Sequence, residues 1–207
     1  MINFNIKSTV FIYSGILFGM ASCEGGIGVE SIYDLDKAGE IEEIKKEIIE
    51  TSGDVIAYEV IMDSQDELGT SIDEVTIVTS EGAAEGTLSR KTFQLTGTGE
   101  PSTSVIDNDF FVRNYEKNGA KKINDIDFTL VEKNINEAKK LIAAEYIDHS
   151  VYSYKIDFED NKRADSFTIN ALLEGEGNHI EGNNIVTNYY EFLFEVDENG
   201  VVVMVGQ

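Results

Sequence analysis

Val55-Ile56-Ala57-Tyr58-Glu59-Val60 and Val151-Tyr152-Ser153-Tyr154-Lys155-Ile156 are the two runs whose reading decides the fold. Both are rich in β-branched and aromatic residues that recur at every second position, the pattern of a half-buried strand. Each follows a helical stretch. Glu43-Ile44-Lys45-Lys46-Glu47-Ile48 precedes the first, and Glu137-Ala138-Lys139-Lys140-Leu141-Ile142 precedes the second. Downstream, Val75-Thr76-Ile77 matches Phe167-Thr168-Ile169. The same order thus occurs twice, and the offset between copies changes only as loop lengths change, which costs little. The expectation is an α+β protein of two similar units, each one helix packed on an antiparallel meander sheet of three or four strands.

In the first unit, residues 34–100, the spacing of Ile41, Ile44, Ile48 and Ile49 predicts a helix over 36–50. Asp36 is its expected N-cap, Glu40, Glu42 and Glu43 complement the helix dipole, and Thr51-Ser52-Gly53 ends it. Three strands should follow. Ile56, Tyr58, Val60 and Met62 face inward on the first, Val75 and Ile77 on the second, and Phe93 and Leu95 on the third. Residues 101–128 read as a linker, introduced by the glycine-rich break at 96–104. Phe110-Phe111-Val112 suggests a short strand there and Lys117-Asn118-Gly119 a turn.

The second unit, residues 129–207, opens on Thr129-Leu130-Val131-Glu132, the pattern of a capping box. A helix should run to about Ile147, with Ile135, Ala138, Leu141, Ile142 and Tyr146 as its apolar stripe. Strands follow with Tyr152, Tyr154, Ile156 and Phe158 inward, then Phe167, Ile169, Ala171 and Leu173, then Tyr190, Phe192, Phe194 and Val196. Asp197-Glu198-Asn199-Gly200 is a hairpin turn before a last strand over 201–205.

Residues 1–22 have another character. Lys7 is the only charge before Glu24, and an apolar run over 10–20 is long enough for a signal-peptide core but too short to span a bilayer as a stable helix. Met20-Ala21-Ser22-Cys23 resembles the lipobox of bacterial lipoproteins, with Met20 where leucine is usual. The resemblance implies cleavage between Ser22 and Cys23, with lipid on the Cys23 thiol and on the new amino terminus. Cys23 is also the one cysteine of the chain, so it has no internal disulfide partner. The expected location is the bacterial cell envelope, lipid-anchored and facing periplasm or exterior. Residues 23–33, glycine-rich at the start, read as a tether.

The chain carries 39 acidic against 16 basic residues, net −23, and losing Lys7 with the leader makes it one unit more negative. Such a surface repels phosphate backbones, so nucleic acid is not an expected partner. A protein or peptide partner of basic character suits it better. With 42% apolar residues, 11 Phe and 9 Tyr, the chain has enough to fill a core.

No pattern carries catalysis or a cofactor. His149 and His179 are the only histidines and have no ligand spacing. Asp34-Leu35-Asp36 starts like a calcium loop, but Ala38 and Lys45 stand where oxygen ligands belong. The acidic turns at Asp107–Asp109 and Asp157–Asn161 are the weak calcium alternatives. Neither a nucleophile elbow nor a phosphate-binding loop occurs. Tyr189 and Tyr190 are adjacent on a strand. With Tyr190 inward, Tyr189 points outward and is the candidate recognition residue, joined on the surface by Tyr33, Tyr115 and Tyr146.

In element order only, residues 36–207 resemble the tandem helix-plus-meander modules of PepSY-like envelope proteins and of the secreted β-lactamase-inhibitor-protein family. A cystatin-like arrangement fits nearly as well. The resemblance implies a binding or inhibitory role without chemistry. Three readings follow: a non-enzymatic binding module, an inhibitor of an envelope or secreted enzyme, and a carboxylate-dependent hydrolase of envelope polymers.

Overall fold

The computed structural model describes residues 6–11, 33–35, 37, 39–69, 71–95, 101–176, 179–181 and 184–205. Asp36, Cys23, Ser22 and most of the tether lie outside them. The fold is α+β: among the described residues, three α-helices pack on an antiparallel sheet.

Helix α1 spans Glu40–Ser52 and buries Ile41, Ile44 and Ile48. Gly39 is its N-cap at φ 92°, with no side-chain cap bond, and Gly53 closes it by donating to Ile49 O. The helix starts later than the expected Asp36 cap, because Gly39, in the left-handed region, is the residue that caps it. Strands β2 (Ile56–Asp63), β3 (Glu74–Thr79), β4 (Leu88–Gln94) and β5 (Ser102–Ile106) form an antiparallel meander. Helix α2 (Asp109–Asn118) follows, then the two-residue β6 (Lys121–Lys122), a 3-10 turn and helix α3 (Thr129–Lys139). The chain then makes β7 (Tyr146–Glu159), β8 (Lys162–Leu173), β9 (His179–Glu181), β10 (Asn184–Val196) and β11 (Val202–Val205). Strand β1, Ile6–Phe11, pairs with the outer edge of β10 and comes from the stretch read as a leader.

The sheet runs β1-β10-β8-β7-β2-β3-β4-β5, with β11 beside β10. β2 and β7 are antiparallel neighbours, and Val60 faces Ile156 across that pair. One face of the sheet is covered by α1 and α3. Its core takes Val60, Met62, Val75, Ile77, Phe93, Tyr154, Ile156 and Phe158 from the strands and Ile44, Ile48, Val131 and Ile135 from the helices. On this face Tyr154, Phe167 and Phe194 stack across three strands, with centroids 4.9 and 5.3 Å apart. Tyr146 closes the row edge-on to Phe192 and Tyr190. Such cross-strand aromatic pairs fix register as well as filling volume.

Four expectations need correction. Phe110-Phe111-Val112 is helical. Asn108 accepts from Phe110 N at the start of α2, Gly119 ends it, and Val112 with Tyr115 one turn on forms the buried stripe. Strand propensity yields there to packing and capping. Ile56 and Tyr58 do not share the inward face with Val60, because a bulge between Ala57 and Glu59 shifts the alternation, putting Val55 and Ala57 in the core. A second bulge between Val151 and Ser153 buries Val151 and leaves Tyr152 half-exposed. A bulge inserts one residue and therefore inverts every facing before it. The third correction concerns α3, which ends at Lys139, so that Leu141 is half exposed and Tyr146 already belongs to β7. Fourth, its start is not a capping box. Thr129 N–H and hydroxyl both donate to Asp127 Oδ1.

Candidate functional site

The face of the sheet opposite α1 and α3 is only partly covered, and the candidate site lies there. At one end α2 sits on it, burying Val112 against Val78 and Leu88 with Tyr58, Ile106 and Tyr115 around them. At the other end the connection from β2 to β3 folds over β7 and β8. Ser150 Oγ donates to Gly69 O, and Asn170 Nδ2 donates to Glu67 O at 2.7 Å. Between the two covers lies a shallow groove of about 290 Å³, with Ile61, Ser153, Lys155, Ser166, Thr168, Leu193, Glu195 and Val205 along it. An acidic pocket of about 190 Å³ shares Lys155, Ser166 and Glu195 with it and adds Asp157 and Glu159. Strand alternation produces this lining directly: these residues alternate with Tyr154, Ile156, Phe167 and Phe194 on the core side.

Lys155 is the electrostatic centre of the face. Its Nζ lies 3.2 Å from Asp157 Oδ2 and 3.9 Å from Glu59 Oε2. Glu59 is buried under α2, and Tyr115 Oη donates to its Oε1 at 3.2 Å. Burial raises the Glu59 pKa against the attraction of Lys155, and it raises Tyr115 to about 12, with the Glu59 charge adding to the effect. Burial also raises Asp63, which is opposed by a hydrogen bond from Ser153. Glu59 and Asp63 are thus two carboxylates with raised pKa on one face of β2. At about 3.3 Å per residue they stand roughly 13 Å apart along the strand. A glycosidase pair works at roughly 5 to 9.5 Å, so this spacing does not suit one.

A second polar group sits beneath α3. Asp165 accepts from Tyr154 Oη at 2.6 Å, Asn134 Nδ2 at 3.1 Å and Arg163 Nε at 2.7 Å. Arg163 also donates to Asp127 O. Asp165, Tyr154 and Asn134 are buried and Arg163 nearly so, and burial with the neighbouring Asp165 charge holds the Tyr154 hydroxyl well above its usual pKa. This arrangement ties α3 to the sheet and satisfies a buried charge.

Of the residues singled out in the sequence, Tyr189 points away from Tyr190 along β10 and is 4% exposed while β1 is in place, with Lys7 its register partner there. Tyr146 is buried in the aromatic row, and Tyr33 donates to Glu47 Oε2. His149 is half-buried against Tyr146 O, and burial lowers its pKa. No group of three or more potential metal ligands occurs among the described residues. Asn108 of one acidic turn caps α2, and Asp157 of the other accepts from Phe158 N. The groove residues Ser166, Thr168 and Leu193 were visible in sequence as the outward half of each strand. Their gathering under one open face was not. Comparison with protein-family models, curated proteins and solved structures finds no match.

Proposed function

We propose that this chain is a lipid-anchored envelope protein that binds a protein or peptide through the open face of its sheet, without chemistry of its own. The observation that carries the reading is the groove between α2 and the β2–β3 connection. It offers apolar Ile61, Leu193 and Val205 beside hydroxyls and an acidic edge of Asp157, Glu159 and Glu195. An extended or helical segment with apolar and basic side chains suits such a lining. The lone Cys23 at the end of an apolar leader supports the anchor. Processing there removes β1 and leaves the outer edge of β10 beside Ile185–Tyr190 to the mature fold.

The same proposal includes descent of the fold from two similar units, residues 34–100 and 129–207. What supports it is the strand order β10-β8-β7 against β2-β3-β4, mirrored about the β2–β7 pair. Val60 and Ile156, equivalent in the sequence match, face each other at that centre, as a two-fold relation between duplicated strands requires. α1 and α3 lie on the same face.

The test is direct. Leu193→Arg and Ser166→Arg should abolish capture of a polypeptide from envelope extract while leaving far-UV circular dichroism unchanged. Capture unaffected by both substitutions refutes the groove. Mass spectrometry of the native amino terminus should find a lipidated Cys23, and an unmodified thiol ends the anchor reading.

A further inference from the structure

Asn184-Ile185-Val186-Thr187-Asn188-Tyr189-Tyr190, the first half of β10, carries no charge and no proline in a chain of 39 acidic and 16 basic residues. Proteins ordinarily keep the edge of a sheet from pairing with charges, prolines or bulges. The opposite edge of this sheet is guarded in that way: β5 is five residues long and lies between Glu100-Pro101 and Asp107. On the β10 side, β11 covers only Leu193 to Val196. The stretch before it belongs to β1, which pairs antiparallel from Ile6 opposite Tyr190 to Phe11 opposite Ile185 in unbroken register. The fold therefore seats a strand on this edge and shows its direction and length. Cleavage before Cys23 removes β1 and, of the described strands, no other.

We infer that the mature chain pairs this edge with the same edge of a second copy, β10 against β10 across a two-fold axis at Thr187. The inference rests on the proposed cleavage before Cys23, which vacates the place of β1. Opposed residues of an antiparallel pair share one face of the sheet, so a strand meets its own copy only in a register where one residue faces itself. Centring on Thr187 uses the whole uncharged run: Asn184 faces Tyr190, Ile185 faces Tyr189 and Val186 faces Asn188. It also keeps two kinds of pairing that β1 makes. Thr9 opposite Thr187 becomes Thr187 opposite itself, and Phe11 opposite Ile185 becomes Tyr189 opposite Ile185. Threonine pairs and aromatic–β-branched pairs are favourable cross-strand neighbours. Glu191 would face position 183, before β10 begins, so the paired run ends before a charge enters it. A foreign strand finds no charge here to select it, whereas a second copy matches by symmetry. Two strongly acidic bodies repel one another, so the pairing tightens as salt screens them, the reverse of an interface held by opposite charges.

Thr187→Cys tests the axis. Cys23 is the one natural cysteine, so with lipid on it the introduced thiol is the only one free in the exported full chain. Facing residues of an antiparallel pair have Cα atoms about 4.5–5.5 Å apart, within disulfide range. Mild oxidation in detergent should convert most of the chain to a homodimer linked through position 187, located by peptide mapping. Thr103→Cys, on β5, should stay monomeric. Sedimentation of the parent chain should show a dimer that tightens with added sodium chloride. Thr187→Asp sets two carboxylates face to face and should weaken that dimer at least about fivefold with an unchanged circular dichroism spectrum, while Thr103→Asp leaves it intact. A parent chain that is monomeric at every salt concentration overturns the inference. So does a link from position 187 to another envelope polypeptide in place of its own copy. Mass spectrometry of the amino terminus separates the two readings. Lipidated Cys23 without a dimer refutes the pairing and spares the anchor. Retained residues 1–22 refute the anchor; a link through position 187 in that sample still supports the pairing, and its absence refutes both.

Discussion

Replacing Asp165 with alanine should cost this protein about 4 kcal/mol, and the structure says why. The carboxylate is 2% exposed and accepts from Arg163, Tyr154 and Asn134. Its removal leaves the Arg163 guanidinium, 15% exposed, with Asp127 O as its acceptor. Breaking a buried pair by deleting one partner costs roughly 3–5 kcal/mol, because the remaining charge stays desolvated. Asn134 Nδ2 keeps Tyr154 Oη as an acceptor at 2.9 Å, but the buried Tyr154 hydroxyl loses the carboxylate it donates to, and an orphaned buried donor costs roughly 1–3 kcal/mol, which keeps the total at about 4 kcal/mol or above. For a chain of this size about 1 kcal/mol corresponds to roughly 2–4 °C, so Tm should fall by roughly 8–16 °C. Urea unfolding followed by far-UV circular dichroism and tyrosine fluorescence measures the loss. Arg163→Met combined with Asp165→Leu should recover most of it, because no charge is then buried unpaired. A loss below about 1 kcal/mol in the single variant, or no recovery in the double, refutes the assignment of this pair as a desolvated unit.

Three other outcomes follow from the same structure. Glu59 has a raised folded pKa, so its charged form is disfavoured by folding and its contribution to stability falls as pH rises through that pKa. Glu59→Gln should therefore gain stability relative to the parent at pH 7 and lose that advantage in acid, read from unfolding midpoints at several pH values. His149 has the opposite sign. Its pKa is lowered by burial, so stability is present above its unfolded pKa and lost as pH falls below about 6.5, and His149→Gln should flatten that slope. Gly119 has φ 98°, and an added Cβ would meet Asn161 Oδ1 at 2.3 Å, so Gly119→Ala should destabilise by roughly 1–3 kcal/mol, seen as a lowered urea midpoint.

The amino-acid sequence by itself determined the class of the fold, most of its strands and the inward half of most of them. Period-two patterning in Tyr154-Lys155-Ile156-Asp157-Phe158 and Tyr190-Glu191-Phe192-Leu193-Phe194 is decisive because one face of each strand must be buried. The helical stripe Ile41, Ile44, Ile48 was equally legible, as was the hairpin that Asp197 organises by accepting from Asn199 N and Val201 N. Tertiary structure alone decided the rest. The bulges in β2 and β7 leave no local mark, since an inserted residue is defined only by its partner strand, and they put Ile56 and Tyr152 on the wrong side of a purely local reading. Phe110-Phe111-Val112 became a helix because Val78 and Leu88 gave Val112 and Tyr115 a surface to cover. The groove exists because β2, β7, β8 and β10 are neighbours, and strand order is set by long-range pairing that no window of sequence contains.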